Sequence, residues 1–381
     1  MATSQNRIAD DTLAGAGAPA AEPSRDDSLT RKLGLRAGDV VEVRSLDEIL
    51  ATLDENGRLD DMPFMPEMIR YCGQRLRVSK RAHKTCDPAL GIIGLRMEDA
   101  VHLENLRCDG CFHDACQADC LVFWKEAWLK RAGGPSVAAG NGRMPVCTEQ
   151  TLHARTKLDP SASGADTIYV CQNTQVKHAT RPVKWWDARQ YAEDYASGNV
   201  SLHEMARGLA YTAWRTVTEA GIGLGTPLRW IYDRFQEMRG GSEYPLRPFG
   251  VPDGEKTPRA TLDLQEGELV RVKSHDEILK TLDSRYRNRG LYFDPDYVPF
   301  TKRVFKVKRR VQRIIDERTS KMVHFKTDAI VLEDVYCEGK YAYCRRFCPR
   351  AIVPYWREIW LERAFEKGEA RSDASQRGSQ P

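Results

Sequence analysis

Leu35-Arg-Ala-Gly-Asp-Val-Val-Glu-Val-Arg-Ser-Leu-Asp-Glu-Ile-Leu-Ala-Thr-Leu-Asp54 recurs later in the chain as Leu264-Gln-Glu-Gly-Glu-Leu-Val-Arg-Val-Lys-Ser-His-Asp-Glu-Ile-Leu-Lys-Thr-Leu-Asp283. The register between the two stretches holds without a gap through Phe64/Phe293, Pro66/Pro295, Val78/Val307, Asp87/Asp316 and Leu103-Glu104/Leu332-Glu333. It reaches Cys108-Asp-Gly110, set against Cys337-Glu-Gly339. The chain is therefore an internal duplication. Two copies are too few for a solenoid, so paired domains are expected.

Each copy arbitrates the reading of the other. Val41 and Val43, like Val270 and Val272, alternate as in a half-buried strand after a Gly-Asp or Gly-Glu turn. Ser45 with Glu48, and Ser274 with Glu277, form capping boxes ahead of Ile-Leu-x-x-Leu, the start of a short helix. Val304 to Ile315 alone could pass for an amphipathic helix. Across both copies, however, apolar residues recur at Leu76/Phe305, Val78/Val307, Ala82/Val311 and Cys86/Ile315, and those even spacings predict a strand. Val101 and Leu103, with Ile330 and Leu332, predict another. Each copy closes on a tryptophan pair, Trp124 and Trp128 or Trp356 and Trp360, expected as core anchors because tryptophan buries so much area.

Domain boundaries follow from the repeat. Residues 1–34 read as a disordered leader, 35–132 as a first β-rich repeat, 133–263 as a linker and helical insert, 264–367 as a second β-rich repeat and 368–381 as a disordered tail. In the insert, Asp187 with Gln190 opens a helix that Ser197-Gly-Asn199 ends. Ser201 with Glu204 opens a second, with Leu202, Met205, Leu209, Ala213 and Val217 at helical spacing. Thr226-Pro227 opens a third, with Leu228, Ile231 and Phe235 on one face and Gly240-Gly241 as its stop. Gly221-x-Gly223-x-Gly225 follows a helix, so it reads as an interhelical turn and not a phosphate loop. His203-Glu204 lacks the second histidine of a zincin, since Arg207 stands in its place.

The opening half of each copy has a strand, a helix-bearing loop and a Cys-Gly-Gln-Arg-type turn into a longer strand, and so resembles SH3-like small barrels. That resemblance implies an α+β fold in which two SH3-like modules flank a mainly helical insert. The whole chain is also similar to bacterial proteins, a resemblance that supplies no catalytic residues.

The 381 residues carry 11 cysteines and a formal net charge of +4. The charge alone implies no nucleic-acid partner. Residues 1–31 lack the apolar core of an export signal, so a reducing, cytoplasmic setting is expected, where clustered thiols bind metal more often than they form disulfides. No window approaches the roughly 18 consecutive apolar residues of a membrane span.

Four of the thiols fall in Cys108-Asp-Gly-Cys111-Phe-His-Asp-Ala-Cys116-Gln-Ala-Asp-Cys120. Short spacers let backbone turns bring ligand pairs to one tetrahedral ion. The pattern resembles a zinc knuckle with Cys116 in the histidine place, which implies zinc and, more weakly, nucleic acid. The second copy retains Cys337, Cys344 and Cys348, a possible second site. Cys108, Cys116 and Cys120 are thus the expected ligand core, with Cys111 as fourth ligand and Cys86 as its rival. Zinc is the expected metal; an iron–sulfur cluster on the same thiols, serving an enzyme or electron carrier, is the alternative. Reduced buried thiols or redox disulfides remain open for the cluster; Cys147 and Cys171 could be a pair or extra ligands, though buried free thiols are the commoner state. Basic residues Lys306, Lys308, Arg309, Arg310 and Arg313 gather on the second copy's long strand, where they could track phosphates or simply protect a sheet edge. No catalytic constellation is recognisable. The reading is a metal-stabilised binding or scaffold protein with a protein or nucleic-acid partner.

Overall fold

A computed structural model describes residues 32–86, 94–133, 146–247, 250–252, 254–341 and 346–364. The fold is α+β. In the first repeat, β1 (Val40–Val43) buries Val41 and Val43. Ser45 then caps α1 (Leu46–Leu50), its hydroxyl accepting from the Glu48 N–H while the Glu48 carboxylate accepts from the Ser45 N–H at 2.9 Å. The chain continues through β2 (Arg75–Arg81), β3 (Lys84–Cys86), β4 (Gly94–Arg96), β5 (Ala100–Leu103), β6 (Trp124–Lys125) and β7 (Leu129–Arg131). The insert contributes α2 (Gln172–Gln175), β8 (Arg181–Val183), α3 (Ala188–Ala196), α4 (Leu202–Thr218) and α5 (Gly225–Arg239). The second repeat supplies β9 (Leu269–Val272), α6 (His275–Leu279), β10 (Val304–Ile315), β11 (Met322–Leu332) and β12 (Leu361–Arg363).

Both repeats form the same antiparallel sheet, in order β6-β5-β2-β1-β7 and β11-β10-β9-β12. Register agrees residue for residue: Val40 pairs with Arg77 and Leu269 with Lys306, Val78 with Leu103 and Val307 with Leu332. A register shift follows Val78 and Val307 alike. The copies part at one place. β10 runs unbroken to Ile315, whereas its counterpart breaks after Arg81, and β3 joins β4 and β8 in a separate sheet. The insert thus claims an edge that the second repeat keeps for itself.

The four tryptophans expected as anchors are each 0% exposed. Phe64 meets Trp128 edge-on at 5.2 Å, and Phe293 meets Trp360 at 5.3 Å. Between each tryptophan pair lies a buried glutamate. Glu126 accepts the backbone N–H groups of Leu33, Gly34 and Leu35 and pairs with Arg81 at 3.1 Å. Glu358 likewise accepts from Leu262 and Leu264 and pairs with Arg310 at 2.8 Å. Each carboxylate satisfies amides of the segment leading into its repeat, which would otherwise be stranded beside the core.

The insert helices start and stop where their caps predict. Ser201 and Glu204 box the start of α4, and Gly240 ends α5 in the left-handed region at φ 65°. Their burial differs from the expected face. Leu202, Leu209 and Val217 are exposed, as are Ile231 and Phe235, while Tyr211 and Thr218 are the buried residues of α4. The packing face is set by Gly208, which lets Phe347 approach closely, and by Tyr211, which meets Tyr244 and Tyr341. Aromatic and small residues won that contact from the aliphatic stripe. Among the described residues, no helix is long and apolar enough to cross a membrane.

Replacing Glu126 or Glu358 by alanine leaves two or three backbone amides without an acceptor and takes the nearest partner from a half-buried arginine, and each change is expected to cost about 1–3 kcal/mol in urea denaturation. Acid should also unfold the protein. His102 and His275 are fully buried, and burial holds both down at about 4 from an ordinary 6.5. The unfolded chain takes up these protons below about 6.5 while the folded one refuses them until about 4, so stability should fall as pH drops through that window. Thermal melts across it should show the loss reduced in His102→Gln.

Candidate metal centre

The Cys108–Cys120 segment leaves β5 and returns into β6 as a closed loop, its base held by the Cys108 N–H donating to the Cys120 carbonyl at 2.8 Å. Gly110 makes the first turn. Its φ is +74°, and a Cβ there would sit 2.0 Å from the Cys116 carbonyl oxygen. The Gly110 carbonyl in turn accepts from the His113 and Ala115 N–H groups. That winding carries His113 inward, to 1% exposure.

The loop's interior is a three-residue cluster. Ligand atoms of Glu67, Cys108 and His113 all lie within 4.8 Å of one another. Glu67 comes from the 3-10 turn Pro66–Tyr71 and is 5% exposed. The Cys108 thiol donates to Glu67 Oε1 at 3.2 Å, while Glu67 Oε2 is buried without a hydrogen-bond partner. His113 Nε2 lies 3.3 Å from the Val170 carbonyl, which can only accept, so Nε2 is placed to donate and Nδ1 is the nitrogen that a neutral ring would offer as ligand. Burial, then the Glu67 charge, pushes the Cys108 thiol far up. A buried carboxylate oxygen, a sulfur and an imidazole nitrogen at this separation form a donor set for a borderline-soft divalent ion.

The other thiols have separate surroundings. Cys111 is exposed, and burial of its sulfur with the Asp109 charge pushes its thiol up to about 11. Cys116 Sγ accepts from the Ile315 N–H at 3.3 Å, at the end of β10 in the other repeat. Cys120 Sγ accepts from Asn173 Nδ2 at 2.5 Å. Cys171, the N-cap of α2, lies close enough for its charge to raise the Cys120 and Cys108 thiols, after burial and the nearer carboxylates. Cys86, weighed as a fourth ligand, hydrogen-bonds Cys348 of the second repeat and lies near Cys337. Cys344 lies outside the described residues.

Sequence spacing alone pointed to Cys108 and not to Glu67 or His113, which the fold brings beside it. One signal was available: Glu67 aligns with Asp296, so both repeats keep an acidic residue after the matched Pro66 and Pro295. Asp296 also neighbours the aligned cysteine, adding to the effect of burial in raising Cys337. Its Oδ1 accepts from the Lys340 and Tyr341 N–H groups at 2.7 and 2.8 Å. Glu67 meets a thiol and an imidazole where Asp296 ties down a loop.

The basic strand turns toward this centre. Lys308 pairs with Asp119 at 2.7 Å, Arg309 donates to the Gln117 carbonyl and Arg313 to the Ala115 carbonyl. Arg310 is held by Glu358 and Asp328, and Lys306 is exposed. Gln117 Oε1 accepts from the Gln312 and Arg313 N–H groups beside a register shift in β10, and its own N–H donates to the Arg313 carbonyl.

No protein-family model matches the chain, and no curated protein matches it.

Gly110→Ala should destabilise the protein by about 1–3 kcal/mol or more in thermal denaturation, since backbone strain adds to a collision with Cys116. Gly73→Ala has a similar φ of +75° but open space around it, so it should cost distinctly less in the same assay.

Proposed function

We propose that the chain is a metal-stabilised binding protein whose first repeat carries a zinc ion on Glu67, Cys108 and His113. The carrying observation is the buried Glu67 carboxylate, one oxygen on a thiol and the other with no hydrogen bond, beside an imidazole whose Nδ1 is free to ligate. A carboxylate so buried needs a compensating charge, and a divalent cation supplies it. Cys111, next in the loop, is the fourth ligand of this reading, its exposed thiol turning inward to join the three. The Val170 carbonyl orients the histidine from outside. Such a closed site is structural. It pins the loop whose far side docks on the second repeat, and so holds two SH3-like modules together in a reducing cytoplasm while the exposed insert helices and Lys306 face a protein or nucleic-acid partner.

Elemental analysis of the purified chain should find one zinc per molecule. Glu67→Gln and His113→Ala should each lose most of it, and chelation should lower the melting temperature of the parent protein but not of these variants. Metal uptake should release protons, because the Cys108 thiol must ionise to ligate. A parent protein with no stoichiometric metal and a melting temperature indifferent to zinc would dismiss the reading.

An iron–sulfur cluster is the second reading, supported by the N–H groups aimed at Cys116 and Cys120 Sγ and by neighbouring Cys171. Anaerobically purified protein would then be brown, and Cys171→Ser would bleach it without removing zinc from the Glu67 site. A colourless protein excludes this second cluster.

A further inference from the structure

We propose that the cleft between the α4–α5 hairpin and the second repeat binds a small aromatic anion. The cleft has a volume of about 1090 Å³, at the upper end of the ≈300–1,000 Å³ typical of ligand pockets. Its wall is aromatic: Tyr211, Trp214 and Tyr232 from the hairpin face Tyr341 and Phe347 from the second repeat. Tyr211 and Tyr341 stand edge-to-face at 5.0 Å, an array onto which a flat ring can add.

The polar groups of this wall are donors. Tyr211 Oη and Trp214 Nε1 are buried and make no hydrogen bond. Behind Tyr211, the Arg346 guanidinium stacks on its ring at 5.5 Å and is 2% exposed. One Arg346 nitrogen donates to the Lys340 carbonyl; Nη2 has no partner, and the side chain forms no ion pair among the described residues. A guanidinium does not shed its proton; Arg346 lies behind the lining, where the Asp296 charge also acts on it, and it adds positive potential to the wall in front of it.

The rim has the same sign. Lys80, Arg207 and Arg239 line the cleft and pair with no acid among the described residues. Of the acids there, Glu204 is committed to the α4 cap and Glu338 to Lys340, which leaves the exposed Asp334 carboxylate set against the three cations, so the rim is positive on balance. Stacking surface, unfilled donors and a positive rim together select a ring bearing a carboxylate or sulfonate, and disfavour a cation or a purely aliphatic ligand.

The test is isothermal titration calorimetry of the full metal-loaded chain with 2-naphthoate, against 2-naphthalenemethanol as the neutral probe of the same ring. One naphthoate per chain should bind saturably, about tenfold or more tighter than the alcohol, as expected for a charge-assisted contact. Arg346→Gln should bring naphthoate down to the level of the alcohol. Because that buried change could impair folding, Phe235→Glu serves as a second variant; Phe235 is half-exposed at the cleft mouth, and a carboxylate there should cut naphthoate binding about tenfold with little effect on the alcohol. Equal affinity for the two probes, no saturable naphthoate binding, or naphthoate binding unchanged in a folded Phe235→Glu would each overturn the proposal.

Discussion

The arrangement of the two repeats rests on Gln117. Beside the register shift in β10, the Gln312 and Arg313 N–H groups are supplied with an acceptor by Gln117 Oε1, while the Gln117 N–H closes on the Arg313 carbonyl. A β-bulge normally leaves such groups to solvent. Here a side chain from the other repeat completes the ladder, and the cysteine loop is drawn onto the strand with Cys116, Asp119 and Ala115 as further contacts. The traffic runs both ways. Arg350 of the second repeat donates to the Cys86 carbonyl at the end of β3, and Cys348 meets the Cys86 thiol. Each repeat therefore offers its post-sheet loop to its sibling, the first to β10 and the second to the end of β3.

Duplication gave both repeats one framework, and local chemistry then separated their loops. The carboxylate that follows the matched prolines kept its place and changed its use. Glu67 has one methylene more than Asp296 and stands beside Cys108 and His113; Asp296 accepts two loop amides. The same divergence removed Cys111 from the second repeat, where Lys340 stands. A single scaffold position thus serves a donor cluster in one half and loop closure in the other.

Much of this fold was legible because two copies could be read together. Even spacing shared by Val78/Val307 and Ala82/Val311 identified a strand that helical periodicity in one copy would have obscured, and the capping boxes at Ser45 and Ser274 formed as expected. The break between β2 and β3 was not legible, since β3 pairs with β4, and β4 in turn with β8 far along the chain. The candidate site was half legible. Cysteine spacing pointed to Cys108, but spacing is blind to a carboxylate from a preceding turn and to a histidine whose orientation depends on the distant Val170 carbonyl. The surroundings of the basic strand were hidden for a related reason: charge composition does not reveal that Lys308 and Arg309 pair with Asp119.

Arg107 and Tyr336 occupy matching positions in the two copies and stack on each other at 4.1 Å. Equivalent residues in mutual contact lie where an axis of two-fold symmetry would pass, so the chain has the form of a dimer joined into one polypeptide. An actual dimer of either copy would set arginine against arginine, or tyrosine against tyrosine, at that axis. Only the covalent pair unites a cation with a ring. Within one polypeptide the equivalent positions can differ, and the contact at the axis is complementary where that of a true dimer would be self-matched.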